Sequence, residues 1–107
     1  MSAPFVAQLR SARAPIAIDT GAGAITIRVE ASDVWETVRV TARPATSVAD
    51  LRRRVVEALF PADAHPDEFV MKLRGWELLD PRASLGDSGV VDGSIVLLAY
   101  RRRRPVR

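Results

Sequence analysis

The chain contains no cysteine, and only one histidine, one lysine and one tyrosine among its 107 residues. Without thiols there can be no disulfide, no thiol chemistry and no thiolate metal site, and a reducing compartment suits such a protein. His65 stands alone between Ala64 and Pro66; it cannot build a zinc site unaided, and no nucleophile accompanies it in sequence. Long apolar runs are missing as well. The stretch from Ser94 to Ala99 is far too short to span a bilayer. No apolar segment follows the first arginines, which argues against a secretory leader. The arginine-rich, acid-poor start shares its composition with organellar transit peptides but shows no apolar helical face.

Catalytic groupings are equally scarce. Asp80, Ser84, Asp87, Ser88 and Asp92 fall in one turn-rich stretch with no histidine base nearby, and turn hydrogen bonding is their simplest role. Neither an enzymatic activity nor a cofactor is expected, and the cytoplasm is the expected location.

The chain does hold 48% hydrophobic and 27% charged residues, an ordinary balance for a folded domain. Its length suits one domain burying roughly 60–65% of the surface exposed by the unfolded chain. Fifteen arginines against the single Lys72 suggest a GC-rich, bacterial genome. The net charge of +3 conceals an asymmetry. Residues 25–100 carry nine basic and twelve acidic side chains, whereas Arg101-Arg102-Arg103-Arg104-Pro105-Val106-Arg107 contributes five positive charges. Any affinity for nucleic acid or an acidic surface is therefore expected from the tail, through Arg101, Arg102, Arg103, Arg104 and Arg107. The other reading of the tail is that it only solubilises.

Residues 1–24 are rich in Ala, Ser, Pro and Gly and read either as a disordered lead-in or, over Pro15–Ile18, as an extra edge strand. From Ile25 a period of two begins: Ile25, Ile27 and Val29 alternate with Thr26, Arg28 and Glu30. After a turn at residues 31–34, Val38, Val40 and Ala42 alternate with Thr37, Arg39 and Thr41, so the two runs form a hairpin. Pro44 closes it. Ser47-Val48-Ala49-Asp50 has the form of a capping box. Val48, Leu51, Val55, Ala58 and Leu59 then share one helical face. Arg52-Arg53-Arg54 reads as a solvated face, with Asp50–Arg54 and Arg53–Glu57 as i,i+4 pairs. Phe60-Pro61 ends the helix. Phe69, Met71 and Leu73 alternate with Val70, Lys72 and Arg74, Gly75 turns the chain, and Trp76–Leu78 is a brief return strand. Ser94 to Tyr100 is the last strand, whose outward phase is taken as Val96, Leu98 and Tyr100. The fold class that follows is α+β: a mixed sheet of four or five strands packed on one helix, with a right-handed crossover placing the last strand beside the first.

Three features in this order resemble the ubiquitin superfamily over residues 25–100: the hairpin, Thr46-Ser47-Val48-Ala49-Asp50-Leu51 opening the helix, and Leu85-Gly86-Asp87-Ser88-Gly89-Val90-Val91-Asp92-Gly93-Ser94-Ile95 before the final strand. Leu73-Arg74-Gly75-Trp76-Glu77-Leu78 is similar to the strand-turn-leucine segment of the same family. The compact form resembles the bacterial YukD/EsaB-like proteins linked to type VII secretion. The resemblance implies a β-grasp fold and a recognition patch on the open sheet face. It also implies that Lys72 occupies the position of the patch's central isoleucine, so ordinary ubiquitin receptors should not bind. Modifiers and sulfur carriers of the family end in Gly-Gly, whereas this sequence ends in Pro105-Val106-Arg107, so conjugation and sulfur transfer are not expected. The expected role is a non-catalytic protein-interaction module or small accessory subunit. Its candidate binding face comprises Val70, Lys72, Arg74, Trp76, Val96, Leu98 and Tyr100. The competing reading of that face has it covered by the N-terminal segment or by a second copy of the chain.

Overall fold

A computed structural model describes residues 14–101. Its elements are β1 (Ile16–Ala17), β2 (Ile25–Ala31), a 3-10 turn (Ser32–Val34), β3 (Glu36–Ala42), α1 (Val48–Leu59), a second 3-10 turn (Pro66–Glu68), β4 (Phe69–Leu73), β5 (Trp76–Glu77) and β6 (Ile95–Tyr100). The six strands form one sheet in the order β1-β3-β2-β6-β4-β5. β2 runs antiparallel to β3 and parallel to β6, so the last strand does lie beside the first long one. The sheet is wider than four or five strands because β1 adds a two-residue parallel edge to β3. The described part of the N-terminal stretch therefore extends the sheet sideways, and Ile16 drops into the core.

Alternation along the hairpin decides what the helix meets. Ile27, Val29, Ala31, Val38, Val40 and Ala42 are all buried, and Val48, Leu51, Val55, Val56 and Leu59 of α1 pack over them. Burying a side chain such as Leu51 stabilises by about 1.5–3 kcal/mol. Val56 takes the core position that the periodicity gave to Ala58, which is exposed. The helix stripe is thus rotated slightly toward Val56, the larger apolar side chain of the two.

The start of α1 is held by the loop that follows β5. Ser47 Oγ accepts from the Asp50 N–H at 3.0 Å, one half of the capping box. The orphan N–H groups of Val48 and Ala49 donate to the carbonyls of Ala83 and Pro81, both at 2.9 Å, which satisfies donors that a helix start otherwise leaves unpaired. Leu85 and Val90, from the same loop, are buried in the core. Asp80, Ser84 and Asp92 each accept a backbone N–H, from Arg82, Asp87 and Thr26 respectively, and the Ser88 hydroxyl donates to the Ser84 carbonyl. These polar groups stitch turns together, as their sequence context suggests.

The arginine triplet on α1 divides its work, against the reading of a uniformly solvated face. Only Arg53 keeps to that face. It pairs with Asp50 and Glu57, and the Asp50 hydrogen bond first, then Glu57, raises its pKa above the ordinary arginine value. Arg54 does not pair with Asp50 but donates to the Ala17 carbonyl at 3.2 Å, tying α1 to β1. Arg52 is largely covered, with 17% of its side chain exposed, and reaches Asp67 and the Phe69 carbonyl.

Candidate functional site

Strand pairing fixes which side chains share the sheet face away from α1. Val29 pairs with Val96 and Ala31 with Leu98 across β2 and β6; Met71 pairs with Leu98 and Leu73 with Val96 across β4 and β6. All of these partners point at the helix layer. Val96 and Leu98 are 0% exposed, so they belong to the core and not to the open face. The reason lies in the strand's own sequence. Ile95-Val96-Leu97-Leu98-Ala99-Tyr100 is apolar in both phases, so its alternation carries no information about direction, and the neighbouring strands decide it. Tyr100 follows the inward phase too. Its ring stacks on Phe69 with centroids 4.4 Å apart, and Phe60 closes the cluster edge-on at 6.2 Å, a geometry aromatic rings favour. Trp76 pairs with Leu73 and takes that residue's face; it stands at the far edge of the sheet, 77% exposed.

The open face instead carries Ile95, Leu97 and Ala99 from β6, with Val70 and Lys72 beside them on β4. Ile95 is 49% exposed and Val70 9%. On the other flank, Arg28 pairs directly with Ile95 across β2 and β6, and with Arg39 across β2 and β3. Of the seven residues expected on this face, Val70 and Lys72 lie on it and Arg74 borders it at the β4–β5 turn. Val96, Leu98, Tyr100 and Trp76 do not. Ile95, Leu97, Ala99 and Arg39 were missed. For Arg39 a signal was available, because the length of the hairpin turn sets its register opposite Arg28.

Two shallow grooves meet at Ile95. One, of about 320 Å³, is lined by Thr26, Arg28, Arg39, Asp92 and Gly93. The other, of about 520 Å³, is lined by Leu73, Arg74, Val91, Asp92 and Ser94. The turn between them is pinned to β2: the Gly93 N–H donates to the Thr26 carbonyl at 2.8 Å, and the Arg28 N–H to the Ser94 carbonyl at 3.0 Å. Gly93 makes this turn at φ +87°, a conformation that costs glycine little and other residues much. The opposite border is the two-residue loop Arg74-Gly75, with φ of +53° and +86°, the signs a type I′ hairpin turn requires at both positions.

The upper part of the face is electrically closed. Arg101 continues β6, its N–H donating to the Glu68 carbonyl at 2.7 Å. Its guanidinium pairs with Glu77 at 3.0 Å, reaching across β4. The first tail arginine is therefore bound into the fold, while Arg102, Arg103, Arg104 and Arg107 lie outside the described residues. His65 is exposed in the loop before β4, where its carbonyl accepts from the Glu68 N–H. Among the described residues, no three acidic or histidine side chains come together as metal ligands, and no helix is long and apolar enough to cross a membrane.

No family model matches this sequence, and no curated protein matches it. Solved structures do. A ubiquitin-like domain from an Arabidopsis thaliana protein superposes with a TM-score of 0.65 at 13% identity, covering 84% of this chain and 90% of that one. The N-terminal ubiquitin-like domain of another protein gives 0.64 at 17% identity, covering 83% and 86%. A de novo design based on ubiquitin gives 0.63 at 21% identity, covering 81% of this chain and all of the design. At such identities the likeness speaks for the fold alone: the chain has the ubiquitin-like β-grasp fold, one helix cradled by a mixed sheet.

Proposed function

We propose that this chain is a non-catalytic, non-covalent protein-interaction module, a small accessory part of a bacterial complex of the YukD/EsaB-like kind, that binds a protein partner through its open sheet face. One observation carries the reading. Exposed Ile95 and half-buried Leu97 and Ala99 make an apolar strip on the face away from α1, and that strip is flanked by exposed Arg28, Arg39, Lys72 and Arg74. An apolar centre with a charged border is the usual anatomy of a protein-binding surface. β1 supports the reading, since Ile16–Ala17 join the sheet at its edge beside β3.

The test is a cross-linking pull-down comparing wild type with Ile95→Glu/Leu97→Glu. Both positions point away from the core, so the variant should fold and lose the partners that wild type retains. An unchanged set of partners would rule out the open face as the binding surface.

A further inference from the structure

We infer that the partner segment is acidic, and that it lies along the lower half of the open face with its carboxylates on Arg28, Arg39 and Arg74 and an apolar side chain against Ile95. This rests on the open-face reading above and specifies the chemistry of what binds there.

The argument starts from charge. Residues 14–101 hold thirteen acidic and ten basic side chains, so a cation here has no shortage of carboxylates to pair with. Half of the cations do find partners: Arg43 with Asp19, Arg52 with Asp67, Arg53 with Asp50 and Glu57, Arg101 with Glu77, and Arg54 with the Ala17 carbonyl. Among the described residues, the side chains of Arg28, Arg39, Lys72, Arg74 and Arg82 make no such bond. Four of those five gather around one end of one face, and only Arg82 stands apart.

Three of the four are arranged at a cost. Arg28 and Arg39 are directly opposed across β2 and β3, and like charges in that position destabilise a sheet. Arg74 sits at φ +53° in a turn position where Asn, Asp or Gly is the cheaper choice. Three acids stand near this cluster: Asp92, Glu30 and Glu77, which lies opposite Lys72 across β4 and β5 and is paired with Arg101 at 3.0 Å. Asp92 borders both grooves, its Oδ1 accepting the Thr26 N–H at 2.8 Å, and it forms an ion pair with none of these cations. Glu30 is two residues along β2, opposite Thr37 and Leu97, and forms an ion pair with neither arginine. A cation cluster that is repulsive and strained, inside an otherwise acidic body, is what a site looks like when its counter-charges come from a ligand.

Residues 1–13 and 102–107 do not supply those charges. Residues 1–13 contain Arg10 and Arg13 and no acidic side chain, and residues 102–107 contain four arginines and none. Both would be repelled. A polyphosphate backbone fits less well than a peptide. The centre of the site is aliphatic, among the described residues no aromatic ring lies on the face to stack a base, and the body around it is net acidic. The two grooves meeting at Ile95 instead offer room for an aliphatic side chain between two sets of cations.

The test uses the full chain, ¹⁵N-labelled, titrated with a peptide of alternating Asp/Glu and Val/Ile residues. Parallel titrations use its Asn/Gln isostere and a short single-stranded oligonucleotide, and sedimentation reports self-association. The acidic peptide should perturb the amides of Arg28, Arg39, Arg74 and Ile95 and bind more weakly as salt rises, while the isostere should not bind. Arg28→Glu and Arg39→Glu should each weaken binding at least about tenfold. Each also turns the repulsive cross-strand pair into an attractive one, so fold stability should hold or rise, which separates lost binding from lost folding.

Equal binding of the isostere, shifts confined to residues beyond Tyr100, tighter binding of the oligonucleotide at this face, or self-association through it would each overturn the inference. If partners captured by wild type are lost in Ile95→Glu/Leu97→Glu but kept in Arg28→Glu and Arg39→Glu, the open-face function stands and the acidic partner falls.

Discussion

Replacing Arg74 by asparagine should stabilise the fold while weakening the proposed binding. Arg74 and Gly75 form the two-residue loop joining β4 to β5, and Arg74 holds φ +53° with its side chain exposed. An L-residue other than Gly, Asn or Asp pays about 1–2 kcal/mol to enter the left-handed region. Asn is several-fold enriched there, so Arg74→Asn should recover roughly 0.5–1 kcal/mol of that cost. In a domain of this size that corresponds to a rise in Tm of about 2–8 °C. Removing a charge near Lys72 could also stabilise, but exposed pairs contribute only a few tenths of a kcal/mol. Arg74→Gln is the control, because it removes the charge and keeps the strained backbone. Urea denaturation followed by circular dichroism gives both midpoints and slopes, and an unchanged slope shows that only stability has moved. If Arg74→Asn proves no more stable than Arg74→Gln, the strain argument is wrong. If it is more stable and binds the acidic peptide equally well, the turn is strained for some reason other than binding.

Three further outcomes test the fold and the tail. Leu98→Glu should abolish folding, since an unpaired carboxylate in the core costs several kcal/mol against a total stability of about 5–15 kcal/mol, whereas Leu97→Glu, one position along on the other face, should leave the circular dichroism spectrum intact; the reverse result would invert the sheet faces. Ser47→Ala should destabilise by about 1 kcal/mol through loss of the bond to the Asp50 N–H, read from the urea midpoint, and a neutral effect would mean that the loop carbonyls of Ala83 and Pro81 alone secure the helix start. Deleting residues 102–107 should lower the salt concentration at which the protein leaves heparin, and in a titration with duplex DNA the salt slope should fall by about 0.9 for each phosphate those four arginines neutralise; unchanged elution would move the anion affinity to the face of Arg28 and Arg39.

The elements that could be read from sequence are those whose two faces differ chemically. β2 and β3 alternate Ile, Val and Ala with Thr, Arg and Glu, so their inward residues were legible, and so was the hairpin they form. α1 was legible for the same reason, apart from the exchange of Ala58 for Val56 at the border of its stripe. β6 was legible as a strand but not in phase. Every residue from Ile95 to Tyr100 is apolar, and a strand between two neighbours can point either set at the helix until pairing decides. A one-residue shift moves every side chain to the other face. That single ambiguity took Val96, Leu98 and Tyr100 out of the candidate site and put Ile95, Leu97 and Ala99 into it. β1 was harder still, because two residues give almost no period, and its position depends on Val40 and Thr41 of β3 and on the reach of Arg54 from α1.

Charge told a different story at each scale. Summed over the chain it is positive because of the tail, and summed over the folded part it is negative, so neither total points to a basic site in the body. The site emerges only when each cation is asked where its partner is. Arg53 and Arg101 are satisfied on the surface, and Arg52 and Arg54 bond to backbone carbonyls and hold elements together. Arg28 and Arg39 are left facing each other beside Ile95. In a folded body with more carboxylates than cations, a repulsive pair could have been relieved by one ordinary substitution at either position. Its presence next to an uncovered aliphatic strip is therefore the feature most in need of an external anion, and the reason the acidic segment is sought at this end of the sheet rather than at the arginine tail.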